Sequence, residues 1–320
     1  MPMAFSEECF SLTNKAGQTM HGIVHRSAAP NGALVVLFNI GLHYRTSHSR
    51  MFVRMARYLE RAGFTVVRFD PSRVGYSQGE IVTERAIDMY DAVQTGLFRE
   101  DSEATLKYLR EQYQPTKIFL AGLCGGALTA TIAAASDGQV DGAIFIAGPV
   151  TVTSAEIELS TMHVFEADQM LSMYARRAFT PTAWARFLTG KSDYRDLFRS
   201  IKAKTGDLLS RLKPRKETIQ PPVEGEEGKG SILNRVFLAA LDRLLVSGRH
   251  IMFVMPELDR ATYDFDRLFL SSFNRRYADR KPQHRIVRIP KANHTFSSRE
   301  SSQQLFEAIA DWLHERVTAA

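Results

Sequence analysis

The sequence predicts an α/β fold in which a mostly parallel sheet is covered by helices on both faces. Short apolar runs with the length of buried strands alternate with segments of helical periodicity. The chain has 320 residues, of which 44% are hydrophobic, so it is long enough to bury one large core. Strand–helix alternation of this kind is typical of parallel strands that are linked by helices.

The elements follow from the periodicity of the apolar residues. Apolar runs predict strands at 33–40, 64–70, 117–122, 142–148, 250–255 and 284–289. Amphipathic or small-residue segments predict helices at 49–63, 101–113, 125–136 and 299–316. Two early runs, CFSLTN and HGIVHR, predict an antiparallel hairpin on the edge of the sheet.

The alternation stops near residue 150 and resumes near residue 249. We therefore predict a core in two parts, 1–149 and 249–320, which are separated by a helical lid or cap at 150–248. The lid segment contains PPVEGEEGKG, which predicts a mobile loop near 214–230. Its apolar residues between 162 and 188 would line an acyl pocket or form ordinary core.

Charge is concentrated in part of the predicted lid. The chain carries a net charge of +6, but the stretch 176–216 alone carries +9, because it has twelve Lys or Arg against three Asp. Such a stretch is either a solvated helical surface or a surface that attracts an anionic ligand, headgroup or carrier. It contains no nucleic-acid-binding motif, so no nucleic-acid partner is expected.

The two cysteines, Cys9 and Cys124, cannot form a disulfide framework, and no Cys/His cluster with zinc-ligand spacing occurs. We expect neither a metal nor an organic cofactor. The first residues lack the pattern of a signal peptide, and no apolar stretch is long enough for a transmembrane segment. These features favour a reduced, cytoplasmic protein.

The segment FLAGLCGGALTATIAAAS, residues 119–136, has the features of a nucleophile elbow. An apolar strand meets a helix of small residues through Gly122-Leu123-Cys124-Gly125-Gly126, which is the G-x-S-x-G pattern with cysteine in place of serine. The glycines leave room for a sharp reversal that projects the apex side chain. A helix N-terminus also favours a thiolate. Cys124 is therefore the candidate nucleophile, although free cysteines are often merely buried.

A nucleophilic thiol needs a base, and the base needs an orienting carboxylate. His294 follows the strand at 284–289, and Asp259 follows the strand at 250–255. Because the carboxyl ends of parallel strands meet at one edge of a sheet, we predict that both reach Cys124. Other carboxylates remain possible as the acid: Glu257, Asp264, Asp266, Glu156 and Glu158.

The developing oxyanion needs backbone N–H donors. We predict that Gly125, which directly follows the nucleophile, supplies one of them and that Leu42, in the loop after the strand at 33–40, supplies the other. The next residues, His43, Tyr44 and Arg45, either line the entrance or are ordinary polar loop residues.

Together these residues resemble the α/β-hydrolase superfamily, and within it the exosortase A system-associated hydrolases, which are similar to serine-aminopeptidase-type hydrolases. The resemblance rests on 43–80, on LAGLCGGA (120–127) and on PKANHTFSS (290–298). It covers about two-thirds of the chain and not the segment 150–248. Asp70, Arg73, Gly75, Ser77 and Gly79 match the loop typical of that subgroup, whereas its double glycine is Ile40-Gly41 in this chain.

The resemblance implies an α/β-hydrolase fold, but the substrate of that subgroup does not carry over to this chain. The set of Cys124, His294 and Asp259 predicts a hydrolase that acts on ester or thioester bonds through an acyl-enzyme intermediate. The substrate would be a small acyl compound, and the charge of the stretch 176–216 would suit one bound to CoA or a carrier protein. Dienelactone hydrolases and polyhydroxyalkanoate synthases also carry cysteine elbows, and the synthases transfer acyl groups. Acyl transfer to an alcohol, sugar or amine therefore remains an alternative, as does an inactive binding protein.

Overall fold

The computed structural model describes residues 7–80, 86–152 and 233–318. They all belong to one compact unit, which is formed by Met1–Thr153 and Ser231–Ala320. Within them, one eight-stranded sheet has the order β1-β2-β4-β3-β5-β6-β7-β8. The strands are β1 Glu7–Thr13, β2 Thr19–His25, β3 Ala33–Phe38, β4 Thr65–Asp70, β5 Lys117–Leu123, β6 Gly142–Ile146, β7 His250–Leu258 and β8 His284–Asn293.

The sheet is mostly parallel, as the sequence predicts. Strand β1 pairs antiparallel with β2, and β2 pairs antiparallel with β4, so the predicted hairpin lies at one edge. The other neighbouring strands are parallel. Parallel strands place their carboxyl ends on the same edge of the sheet, and the loops that follow β3, β5, β7 and β8 therefore emerge together.

Helices connect the strands. The α-helices of the described residues are α1 Met51–Arg61, α2 Ala86–Thr95, α3 Arg99–Tyr113, α4 Gly125–Ser136, α5 Arg235–Val246, α6 Arg260–Asp264, α7 Leu270–Arg276 and α8 Arg299–Thr318. The helices predicted from periodicity are α1, α3, α4 and α8, and all four are confirmed. Helices α2, α6 and α7 were not predicted from the sequence. A search of the described residues finds no candidate membrane-spanning helix.

Helix α5 lies inside the range 150–248, which we predict as a lid. Its inward face, including Phe237, Leu241 and Leu244, is buried in the same core cluster as α4. Asn234 caps the helix by accepting a hydrogen bond from the N–H of Phe237 at 3.0 Å. The last part of the predicted insertion thus packs as core. Residues 153–232, including the loop near 214–230 and the basic stretch 176–216, lie outside the described residues.

The core has two halves, one on each face of the sheet. Along β3, Leu34, Val36 and Phe38 belong to one cluster with α3, α4 and α5. The intervening Val35 and Leu37 belong to the other cluster, which contains the inward faces of α1 and α8. Every residue of β3 is apolar and buried, which is typical of a strand in a parallel sheet that is covered on both faces.

Two glycines let α4 approach the sheet closely. A Cβ atom on Gly126 would lie 2.1 Å from the carbonyl oxygen of Asn39 and 2.5 Å from that of Phe38. A Cβ atom on Gly122 would lie 2.0 Å from the carbonyl oxygen of Gly126. These are backbone contacts, so neither position has room for a side chain. The start of α4 is therefore held against the ends of β3 and β5.

This packing predicts that Gly126→Ala lowers the free energy of unfolding by on the order of 3 kcal/mol, because overpacking against fixed backbone forces the helix off the sheet. Urea unfolding followed by circular dichroism measures the change. The matched control is Gly138→Ala, where a Cβ atom would meet nothing within 4 Å. Its effect should stay within about 0.5 kcal/mol. Equal effects of the two substitutions would contradict the packing argument.

Candidate active site

Cys124 occupies the turn between β5 and α4 with a strained backbone. Its φ is 57° and its ψ is −123°, a conformation that residues other than glycine rarely adopt. The turn is held on both sides: the N–H of Cys124 donates to the Ile146 carbonyl at 2.9 Å, and its carbonyl accepts from Ala127 at 3.0 Å. The side chain is half-buried. A strained apex residue at this place in the fold is the geometry of a nucleophile elbow.

Asp259 and His294 meet at the carboxyl ends of β7 and β8. The imidazole Nδ1 of His294 lies 2.8 Å from Oδ2 of Asp259. The other carboxylate oxygen of Asp259 accepts from the N–H of Ala261 at 3.3 Å, because Asp259 caps α6. The Asp259 side chain is 8% exposed and that of His294 is 37% exposed. The capped, buried carboxylate therefore fixes the orientation of a more accessible imidazole.

The imidazole also interacts with Cys124. Burial on its own would lower the pKa of His294, but hydrogen bonds to Asp259 and to the Cys124 side chain outweigh burial and raise the pKa to about 10. Because Asp259 occupies Nδ1, the nitrogen left for the sulfur is Nε2. The structure thus brings Asp259, His294 and Cys124 together, and the raised pKa favours a protonated imidazole at neutral pH.

The other candidate acids in this region have different partners. Glu257 accepts from the N–H of Lys291 at 2.8 Å. Asp266 forms an ion pair with Arg288, and Asp264 lies 3.8 Å from Arg260. Among these carboxylates, Asp259 is the one that contacts His294. Glu156 and Glu158 lie outside the described residues.

The predicted oxyanion donors lie on adjacent segments. A Cβ atom on Gly125 would lie 3.2 Å from Cα of Gly41, so the loop after β3 passes directly over the start of α4. Within the described part of the chain, neither the Leu42 nor the Gly125 N–H donates a hydrogen bond, whereas the N–H of His43 donates to the Ile40 carbonyl at 2.9 Å. Neither predicted N–H group is thus used in another described hydrogen bond.

The loop after β3 is anchored by Asp70, a residue that also matches the loop motif of the resembled subgroup. Asp70 is fully buried at the end of β4. It accepts from the N–H of Arg45 at 2.6 Å and from the Asn39 side chain at 3.3 Å, and it forms an ion pair with the Arg45 guanidinium. Arg45 is accordingly a largely buried anchor of the loop. A charged residue that ends an apolar strand is the signal that could have identified Asp70.

Of the other two residues predicted near the entrance, Tyr44 is 48% exposed, and His43 packs edge-on against His48, with ring centroids 4.2 Å apart. His48 was not predicted as a site residue. Burial and the charges of His43 and His294 lower its pKa. It is carried by a turn in which Ser47 and Ser49 have positive φ, and the sequence gives no sign of this turn.

The interactions of His294 predict its titration. In the folded protein, the imidazole should stay protonated well above its usual pKa of about 6.5, to near pH 10. A raised pKa stabilises the fold below the unfolded value, and this contribution is lost as pH rises through the folded value. Asp259→Asn should lower the His294 pKa, because it removes the carboxylate partner. NMR titration of the imidazole measures the shift.

The control for this titration is Asp266→Asn, which removes a nearby carboxylate that is paired with Arg288 instead of His294. It should leave the His294 titration unchanged. A pKa near 6.5 in the unmodified protein, or equal responses to the two substitutions, would contradict the proposed chain of contacts.

A second prediction concerns Asp70. Asp70→Asn leaves the largely buried Arg45 guanidinium without its carboxylate and should lower the free energy of unfolding by roughly 3 kcal/mol or more. Glu315→Gln, which breaks an exposed pair with Arg285, should cost about 1 kcal/mol or less. Urea unfolding of both variants makes the comparison. A loss for Asp70→Asn no larger than for Glu315→Gln would show that Asp70 does not anchor the loop.

Comparison with solved structures supports the same architecture. An esterase from Pyrococcus furiosus is 12% identical, with 97% of this chain and 91% of that chain covered and a TM-score of 0.56. The α/β hydrolase GrgF from a Penicillium species is 18% identical, with 98% of each chain covered and a TM-score of 0.54. Est1E from Butyrivibrio proteoclasticus, solved with ferulic acid, is 14% identical, with coverage of 97% and 99% and a TM-score of 0.53. At these identities, the likeness shows the fold alone.

Family comparison identifies the chain more closely. A search of curated proteins gives no significant match. The family model for serine aminopeptidases of the S33 type matches residues 30–203, which is more than half of the chain. This range contains the elbow and the loop after β3. With the α/β-hydrolase sheet and the strained turn at Cys124, the match shows that the chain belongs to the S33 serine aminopeptidase family of α/β hydrolases.

Proposed function

We propose that this chain is a cysteine-dependent acyl hydrolase that cleaves ester or thioester bonds, with Cys124 as nucleophile, His294 as acid and base, and Asp259 as its orienting carboxylate. The observation that supports the proposal is the run of contacts from Asp259 through His294 to Cys124. Each member has one role in covalent acyl chemistry. The sequence resemblance to exosortase A system-associated hydrolases makes that subgroup our proposal for the closer family.

In the first half-reaction, the Cys124 thiolate attacks the carbonyl carbon of the substrate. The carbonyl oxygen becomes an oxyanion that accepts hydrogen bonds from the N–H groups of Leu42 and Gly125. When the carbonyl re-forms, the bond to the leaving group breaks, and the leaving alcohol or thiol takes a proton from Nε2 of His294. The products are an acyl thioester on Cys124 and a neutral imidazole.

In the second half-reaction, the neutral His294 takes a proton from water as the water oxygen attacks the acyl carbon. The same two N–H groups stabilise the new oxyanion. Its collapse breaks the bond to sulfur, releases the free acid, and leaves Cys124 as thiolate beside a protonated His294. Asp259 holds the ring in one tautomer throughout and stabilises its protonated form.

The sulfur distinguishes this chain from relatives that are called serine hydrolases, such as the homologue from Coxiella burnetii. A protonated imidazole beside a sulfur nucleophile stabilises the thiolate form that attacks the substrate. A thioester substrate would exchange one thioester for another at little thermodynamic cost.

Acyl transfer is the second candidate function, and the same sulfur favours it. The thioester on Cys124 reacts with alcohols and amines as well as with water, and the basic stretch 176–216 would suit an anionic acyl donor such as an acyl-CoA or an acyl carrier protein. The acyl group would then appear on an acceptor and not as free acid.

The test uses acyl-CoA and p-nitrophenyl esters of varied chain length, with product release and intact mass followed together. We expect an acyl adduct on the protein and a roughly thousandfold or greater loss of turnover in Cys124→Ala. The control is Cys9→Ala, which removes the exposed cysteine and should leave turnover unchanged. Turnover that persists in Cys124→Ala would contradict the proposal. An adduct that transfers to added alcohols or amines without free acid would favour the transferase.

A further inference from the structure

A groove lined by arginines lies between α1 and α8, and none of the residues proposed for acyl chemistry lines it. Its cavity volume is about 290 Å³, near the lower end of the range for small-molecule sites. The lining residues are Arg54, Arg57, Tyr58, Arg61, Arg299, Ser302, Gln303 and Phe306. Four guanidinium groups border this space, and no carboxylate is among the residues that line it.

Helical geometry explains why the arginines share one face of α1. Arg54, Arg57 and Arg61 stand at positions i, i+3 and i+7. The opposite face of α1 is buried in the core with α8. At 1.5 Å of rise per residue, the three positions span about 10 Å along the helix axis. The charge is therefore spread along the groove instead of being concentrated at one point.

The arginines differ in how their charge is compensated. Arg57 contacts the carboxylate of Glu7 at 2.6 Å and is already paired. Arg54 donates to the Ser302 hydroxyl at 3.3 Å and lies over the Phe306 ring at 5.9 Å. Neither Arg54 nor Arg299 forms an ion pair with a carboxylate anywhere in 7–80, 86–152 or 233–318. Two guanidinium groups at one end of the groove thus remain uncompensated by described carboxylates.

Acidic residues stand towards the other end. Burial and the charges of Glu307 and Asp311 raise the pKa of Tyr58, so these carboxylates lie close to its phenol. Glu307 also accepts from the Gln303 side chain at 2.8 Å. Both acids lie further along α8 than Arg299. Glu300, in the first turn of α8, does not line the groove, whereas Arg54 and Arg299 line it near the amino-terminal ends of α1 and α8, where the helix dipoles add to their positive charge.

We propose that this groove binds a small ligand that carries two linked phosphate groups. The planar guanidinium fork matches phosphate oxygens in a bidentate manner, and Arg54 and Arg299 supply two such forks. The buried Ser302 hydroxyl holds Arg54 in place by accepting from its guanidinium, while its own proton is donated to the Arg299 carbonyl. The Tyr58 and Phe306 rings, with centroids 5.8 Å apart, provide an apolar wall for the rest of the ligand.

Isothermal titration of pyrophosphate into the full chain at low salt tests the proposal. We expect saturable binding that weakens roughly tenfold or more in the double variant Arg54→Gln/Arg299→Gln, since two charge-assisted contacts are lost. Arg243→Gln, at an exposed position on α5, is the matched control and should bind like the unmodified chain. Because both groove side chains are exposed, the double variant should keep its urea midpoint.

Three results would overturn the proposal. The first is the absence of saturable pyrophosphate binding. The second is full-strength binding in the double variant, which would assign the anion to other residues such as the stretch 176–216. The third is binding to phosphatidylserine vesicles that requires Arg54 and Arg299 while pyrophosphate does not bind, which would assign the groove to a membrane surface. Cys124→Ala should bind pyrophosphate normally, so this test is independent of the proposed acyl chemistry.

Discussion

The site depends on how closely α4 packs against the sheet. At Gly122 and Gly126, the start of the helix lies so close to the neighbouring backbone that a Cβ atom would not fit. The chain must therefore turn from strand to helix within one residue, and Cys124 takes up the strain of that turn. The same approach brings Gly125 beside Gly41 and sets the loop after β3 next to the sulfur. The position of the sulfur and the proposed oxyanion donors thus share one steric cause.

Electrostatic interactions also position the groups around Cys124. Asp259 is held by a helix cap and is nearly buried, so it acts as a fixed charge that orients His294. Asp70 has the corresponding role for the loop after β3, where it holds Arg45. Asp70 ends β4 and Asp259 directly follows β7, so both carboxylates lie at the same edge of the sheet. The fold therefore uses two buried carboxylates on either side of Cys124, one for the imidazole and one for the loop.

The parts of the fold and the site that could be predicted from the sequence are those whose pattern lies within a short segment. The elbow could be predicted because glycine spacing and strand–helix order lie within a short segment, and Asp259 and His294 because parallel strands end at one edge. The environment of His48 could not be predicted, because it depends on positive φ at serines and on contacts made only in the fold. The arginine groove could not be predicted either, since Arg54 and Arg299 become neighbours only when α1 and α8 pack on the same face of the sheet. The core position of helix α5 could not be predicted either, because its apolar face is recognisable as core only once it packs against α4.

Whether His294 activates Cys124 can be tested without a substrate by the rate of iodoacetamide alkylation as a function of pH. Cys9, which is exposed and free, serves as the internal reference in the same molecule. We expect Cys124 to be alkylated faster than Cys9 near pH 6, and His294→Asn to remove this advantage while leaving Cys9 unchanged. Equal rates for the two cysteines, or an advantage of Cys124 that survives His294→Asn, would contradict activation by His294.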